Sequence, residues 1–383
     1  MKARFEDVIA RVTGNVDRYK TDLEFYVGGD QYDSSALTIE RRGDLKKDVD
    51  ILGFKFHFPF KSGDVLLMAR NPHLRKAGQV FFDGLCSDAS YILRTKDESR
   101  LRQNYIPIIL QSNHFWDWFE SHKTGGITFL MNWGMLKTYE FELPDIKEQD
   151  IIMTKVWAAY KLKKTYQSLI SATDEMVKSR FIEMFGQVSD TAPRHDVKKL
   201  SDCCSYISDG SHFSPAEDSA GTYPMLSVKD MTENGFVYSD CKYISKKDFD
   251  VLVSNGCQPH LNDVLVAKDG SYFKYSFVVT DNKEQAILSS IAILRPQTDI
   301  IDPKYLSYYM LTDAVIQLVE KNYLTGTAIR RVILKGFKEI PTIVPPMELQ
   351  KSFVAVLDQA DKSKFELRQA IEKIDKVMRA LIG

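Results

Sequence analysis

At 383 residues the chain exceeds one ordinary core, so two or more domains are expected. Its 44% hydrophobic and 27% charged residues exclude a largely disordered chain, and no apolar run reaches the roughly 18 residues that a membrane-spanning helix needs. The 51 basic and 52 acidic residues nearly cancel to a net charge of -1, so any nucleic-acid site has to be a local patch. The N-terminus MKARFEDVIA lacks the apolar core of a signal peptide. Five scattered cysteines (Cys86, Cys203, Cys204, Cys241, Cys257) have no CxxC spacing, which points to a reduced cytoplasmic setting without structural zinc.

In chain order, residues 41–76 carry nine Lys/Arg against four acids, a surplus of +5. Within them SGDVLLMARN (62–71) opens on Asp64-Val65 as a strand and ends in a polar turn. Apolar VFF (80–82), a turn at Asp83-Gly84 and SYILR (90–94) suggest a hairpin. A helical stretch covers 101–122, which Pro107 can kink, and TGGIT (124–128) then leads to a short strand ending at Pro144. From there no proline or glycine interrupts the chain before Gly186, which predicts one long helix.

The order then recurs. LNDVLVAKDG (261–270) answers the first strand, and FVV (277–279) with a turn at Asp281-Asn282 and IAILR (291–295) answers the hairpin. A helical stretch at 303–322, then LTGTAI (324–329), leads to Pro345 and a second long helix. Gly125 and Pro144 return as Gly326 and Pro345, at an offset of 201. In the last helix Phe353, Leu357, Ala360, Lys364, Leu367, Ile371, Ile374, Met378 and Leu381 form a heptad seam. Its counterparts are Ile152, Val156, Ala159, Lys163, Tyr166, Ile170, Thr173, Val177 and Arg180. The shared lysine is either a register device or a charged head reaching solvent past its own stem. The fold class is α+β. Residues 1–143 and 187–344 are two repeated α/β domains, and 144–186 and 345–383 are helices forming an antiparallel coiled coil.

The chain reads as non-catalytic. It has no phosphate loop, no GxGxxG after a strand, no HExxH, and no Asn-Pro-Pro-Tyr of amino-methyltransferases; Val344-Pro345-Pro346-Met347 lacks both key residues. Asp263, Asp281 and Lys283 loosely mimic a metal-dependent nuclease, and Cys257 with His260 is at most half a metal site. A nuclease or methyltransferase with a cryptic site is therefore the rival reading, and a coiled-coil scaffold without nucleic acid a third. No cofactor is expected.

Candidate binding residues lie in polar loops that combine donors, acceptors and aromatic rings, as the reading of base edges requires. Arg70, Asn71 and His73 correspond to Lys268, Asp269, Ser271 and Tyr272 after the two Asp-Val-Leu strands, with Arg75, Lys76 and Lys274 beside them. Arg41, Arg42, Lys46 and Lys47 belong to the first basic stretch. Thr325, Thr327, Arg330 and Arg331 belong to residues 321–338, whose five basic residues meet no acid. Neighbouring lysines and Thr325 or Thr327 are suited to phosphates, which position a protein without carrying sequence information. Ser211 and His212 stand out in DGSHFSP (209–215).

Together these features resemble the specificity subunit of a type I restriction–modification system, over essentially the whole chain. The resemblance rests on the duplicated order of strand, turn and long helix, on DGSHFSP, and on LPDIKEQ (143–149) and VPPMELQ (344–350). The first half lacks a counterpart of DGSHFSP and begins abruptly near FYVGGDQYD (25–33). The resemblance implies two target-recognition domains reading an asymmetric, bipartite site on double-stranded DNA, with the helices as a ruler between its halves. It also implies two methyltransferase partners that flip and methylate adenine, with a restriction subunit able to join, and no membrane role.

Overall fold

The computed structural model describes residues 1–122, 130–326 and 330–383; Gly125 and Thr327 lie outside them. The chain divides into two compact units, the first Met1–Leu169 with Glu366–Gly383, the second Ile170–Phe365.

In the first unit the central sheet runs in the order Ile9–Val12, Ser90–Thr95, Val65–Met68, Ala77–Val80, Thr38–Ile39. The second unit repeats its first four strands as Cys204–Asp209, Ile291–Pro296, Val264–Ala267, Ser276–Val278. Registers match as well: Leu93 faces Val65 as Leu294 faces Val264. The fully apolar Val-Leu-Leu-Met and Val-Leu-Val-Ala strands are buried on both faces, which suits them to the middle of the sheet. Each unit has a second sheet with a parallel pair, Phe25–Val27 with Gly84–Ser87 and Tyr223–Leu226 with Ala286–Ile287. Each also closes with a strand pair, Lys2–Arg4 on Glu140–Glu142 and Asp196–Lys199 on Pro341–Val344.

Three expectations need correction. The repeat in the first unit starts at Lys2, not near residue 25, because Lys2–Arg4 is the partner its closing strand needs. The turns at Asp83-Gly84 and Asp281-Asn282 close no hairpin: Ala77–Val80 and Ser276–Val278 fold back on the Asp-Val-Leu strands, and the chain then crosses to the second sheet. Asp83 and Asn282 instead tie down the residues before those strands, accepting from the Ser62 and Leu261 amides at 2.7 and 3.0 Å. Pro107 sits in the first turn of helix Ile106–Gln111, where its missing N–H costs nothing. The break before helix Asn113–His122 comes at Ser112, whose hydroxyl accepts from the Phe115 amide at 3.1 Å.

Beside each central sheet an aspartate–arginine pair is repeated. Arg295 Nε and Nη2 donate to Asp263 at 2.8 and 2.9 Å, and Arg94 clasps Asp64 in the same two-pronged way. The aspartates are 199 positions apart and the arginines 201, so the offset is not uniform along the chain.

The long helices are Ile146–Phe185 and Met347–Ile382. A buried glutamine joins each to its sheet. Gln350 Nε2 donates to the carbonyls of Pro345 (2.7 Å) and Ile300 (3.0 Å), and its Oε1 accepts from the Asp302 amide at 2.8 Å. Gln149 does the same with Pro144, Arg100 and Arg102. Both side chains are fully buried. Gln350→Leu leaves three polar groups unmatched, so urea unfolding of the full chain is expected to show a loss of about 2–3 kcal/mol.

In the second unit Asp174 faces Lys364 and Phe181 faces Phe353, so these helix segments run antiparallel. Each seam lysine pairs with an aspartate of the facing helix, the arrangement a register device requires. Lys364 Nζ lies 2.9 Å from Asp174, and in the first unit Lys163 Nζ lies 2.6 Å from Asp375. Both partners of one pair stand 201 positions from those of the other. Burial works to lower the Lys364 pKa, but hydrogen bonds to Asp174 and Asp361 outweigh it and hold it above the ordinary value. The seam departs from expectation at Arg180, which is exposed and pairs with Glu183; Phe181 takes the buried place. After Val177 the buried positions advance by four, to Phe181 and Phe185, because here the helix meets the domain core rather than only a facing helix.

Candidate nucleic-acid interface

Three distant segments of the second unit meet at one end of its central sheet. Strand Cys204–Asp209 runs into DGSHFSP, where a Cβ on Gly210 would fall 2.1 Å from the Ile287 carbonyl oxygen; only glycine allows that approach. The Ser211 amide donates to Ile287 O at 2.8 Å, and Ser211 O accepts from the Ser289 amide at 2.9 Å. The Ser211 hydroxyl donates to Phe213 O (2.6 Å) and accepts from its amide (3.1 Å). Ser211 is thus an anchor, and the side chains the loop exposes are His212, Phe213 and Ser214.

Lys268, which the sequence presents as a surface donor, is buried. Its Nζ lies 3.3 Å from Asp209 Oδ2 and 3.0 Å from Asp269 Oδ1, with the side chain 4% exposed. It braces two loops, and a contact to guanine requires both ion pairs to break. His212 Nε2 stands 3.3 Å from the same Asp209 oxygen. Asp209 is therefore the hub of the cluster.

The third segment is added by the backbone. Asp269 and Arg331 form an antiparallel bridge, the Gly270 amide donates to Arg330 O at 3.0 Å, and the Val332 amide to Lys268 O at 3.1 Å. Arg330 and Arg331 are exposed beside the loop, and neither guanidinium has an ion pair among the described residues. Thr325 pairs with Arg331, its hydroxyl donating to Arg331 O at 3.2 Å. Ser271 and Lys274 are exposed, whereas the Tyr272 hydroxyl donates to Glu320 at 3.0 Å and is turned to the helix Asp313–Asn322.

The first unit repeats this frame with other side chains. Arg70 bridges Leu130 as Asp269 bridges Arg331, and the Met131 amide donates to Ala69 O at 2.8 Å. Both loops hold residues in the left-handed region, Asn71 (φ 54°) and Arg75 (φ 48°) in one, Gly270 (φ 67°) and Phe273 (φ 52°) in the other. Such conformations cost about 1 kcal/mol or more for residues other than glycine and persist where the surroundings enforce them, often at functional sites. Buried Phe273, stacked on Phe337 at 5.4 Å, is one such enforcement. Arg70 and His73 are exposed; Arg75 reaches Asn113 at 3.2 Å, and Lys76 holds the Gly29 carbonyl at 2.7 Å.

The +5 surplus of residues 41–76 is partly cancelled in three dimensions. Arg41 pairs with Asp33 at 2.7 Å and Lys55 with Asp88 at 2.5 Å, both acids outside the stretch, while Lys47 pairs at 3.0 Å with Asp44, already counted within it. Arg42 lies 3.9 Å over the Phe25 ring, and Lys46 is exposed.

The nuclease reading loses its centre. Asp263 is fully buried, and its oxygens are taken by Arg295 and by the His260 amide at 2.8 Å. Asp281 accepts from the Lys283 amide within its own turn. The five cysteines are free and buried; burial raises the thiols of Cys86 to about 12 and Cys203 to about 11, so neither ionises near neutral pH. No helix among the described residues is long and apolar enough to cross a membrane.

Residues that reasoning along the sequence missed are Asp209, Gln149, Gln350 and the aspartate–arginine pairs. The pairs had a signal: Asp64 with Arg94 and Asp263 with Arg295 recur at matching ends of two apolar strands.

Comparison with known proteins gives a family model and several relatives. The family model described as type I restriction modification DNA specificity domain matches residues 195–376. The specificity subunit of the type I restriction enzyme MjaVIII from Methanocaldococcus jannaschii is 25% identical over 167 residues, which are 43% of this chain and 35% of that protein. The match thus spans about a third of the curated relative's length. Among solved structures, a type I restriction-modification S subunit from M. genitalium has a TM-score of 0.55 at 12% identity, covering 100% of this chain and 94% of that one. A chain from a study of complex assembly and conformational transition of the type I R-M system has a TM-score of 0.55 at 16% identity, covering 100% and 96%. At these identities the structural likeness concerns the fold.

Proposed function

We propose, since residues 195–376 match the family model described as type I restriction modification DNA specificity domain, that this chain is a specificity subunit of that kind, which reads one two-part DNA sequence and neither cuts nor modifies DNA itself. The observation that carries the reading is the repeated frame. Each unit ends its Asp-Val-Leu strand in a braced loop bridged to a second segment, with Arg70 exposed on one and Arg330 and Arg331 on the other. Two equivalent frames with different side chains suit two unlike half-sites. Arginines offer paired donors to guanine edges or to phosphates.

The long helices belong to both units, and the reading makes them the element that fixes the interval between half-sites. Chemistry then falls to partners. The chain recruits methyltransferase subunits, two of them in keeping with its internal repeat, and a restriction subunit joins that complex in the cytoplasm. The near-zero net charge leaves part of the phosphate contact to those partners.

The test is selection from random duplexes by the full chain with its methyltransferase subunit. One interrupted sequence is expected, with affinity falling steeply as salt rises. Binding without sequence preference, or magnesium-dependent cleavage by this chain alone, contradicts the proposal.

A further inference from the structure

We infer, resting on the DNA-reading function above, that Arg70 and Asp269 are equivalent specificity-determining residues of opposite polarity: Arg70 donates to a guanine edge, and Asp269 accepts from the exocyclic amine of adenine or cytosine. The two hold the same place in the fold. Each lies six positions after the aspartate that opens its strand, Asp64 or Asp263, and each forms the antiparallel bridge to its second segment. The bridging partners, Leu130 and Arg331, are themselves 201 positions apart. Both residues lie in loops whose backbones are fixed by left-handed residues, so the position is built rather than loose.

At this shared position the hydrogen-bonding capacities are reversed. Arg70 is exposed, without an ion pair among the described residues, and offers only donors. Asp269 offers only acceptors. Its Oδ1 is taken by Lys268, whereas Oδ2 has no partner among the described residues, and the side chain is 20% exposed. A carboxylate beside a polyanion is unfavourable unless it meets a donor. In the major groove guanine and thymine turn acceptors outward, while adenine N6 and cytosine N4 donate. Buried Lys268 offsets the charge of Asp269 and leaves its second oxygen for the base. The two half-sites therefore differ at the position this loop reads, guanine in one and an amine-bearing base in the other.

The experiment compares sequences selected from random duplexes by the full chain, with its methyltransferase subunit, as wild type, Asp269→Asn, Asp269→Arg and Arg70→Gln. Asparagine still accepts from Lys268, so Asp269→Asn is expected to fold as wild type, which thermal unfolding checks. The wild type is expected to show the guanine and the amine-bearing base in opposite half-sites. Asp269→Asn should lose about tenfold or more of its preference for adenine or cytosine at one position of one half-site, and Asp269→Arg should move that position to guanine. Arg70→Gln should relax a guanine in the other half-site alone. Folded variants that select the wild-type sequence unchanged overturn the assignment, as does a change spread over both half-sites. A wild-type chain that selects no sequence overturns the DNA-reading function itself, and the assignment with it.

Discussion

Replacing Arg295 by methionine is expected to lower the stability of the second unit by about 3–5 kcal/mol, the loss seen when one partner of a buried ion pair is removed. Asp263 is 0% exposed and accepts from Arg295 through both oxygens. Without the guanidinium its charge keeps only the His260 amide at 2.8 Å. The reverse change, Asp263→Asn, should cost less, because the 32% exposed Arg295 regains water. The protein supplies its own reporter. Its four tryptophans, Trp116, Trp118, Trp133 and Trp157, all lie in the first unit. In urea, Arg295→Met should therefore shift the far-ultraviolet circular dichroism transition ahead of tryptophan fluorescence, whereas Arg94→Met should move the fluorescence transition. Identical shifts of both signals in both variants contradict this.

Truncating Phe353 to alanine is expected to cost about 3–5 kcal/mol, by lost burial and by the cavity left behind. Its fully buried ring stands 5.2 Å from Phe181, 5.6 Å from Phe185 and 5.1 Å from Tyr308, mostly edge to face. This cluster joins both long helices to the helix Pro303–Met310. A double-mutant cycle with Phe181→Ala should return a coupling of about 0.5–1.5 kcal/mol, the range for packed aromatic pairs. Additive losses would place the two rings in separate packing environments.

Much of the fold is legible because its signals are local or periodic. Val65–Met68 and Val264–Ala267 are apolar throughout and open on an aspartate, so each copy announces the other. The helices Ile146–Phe185 and Met347–Ile382 follow from long stretches without glycine or proline. Pairing across the chain is less legible. Asp83-Gly84 has the composition of a hairpin turn, yet the strand after it belongs to another sheet, and nothing local records that crossing. Arg180 fits a strict heptad, but Phe181 wins the buried place because the domain core competes with the facing helix.

The candidate site shows the same division. DGSHFSP and the Arg330-Arg331 pair stand out by composition, and the structure brings them together. The bracing role of Lys268 does not stand out, since a lysine in a polar loop reads as a solvated donor until Asp209, 59 positions earlier, is seen to hold it. Lys163 and Lys364 occupied one seam position in the sequence, but their partners, Asp375 and Asp174, appear only once the helices are paired.

Footprinting of the full complex on its selected duplex tests the central claim most directly. Two protected tracts with an unread stretch between them are predicted; Arg70→Ala should weaken one tract, and Arg330→Ala with Arg331→Ala the other. A single continuous tract, or loss of both tracts with either variant, would contradict a chain that carries two independent readers.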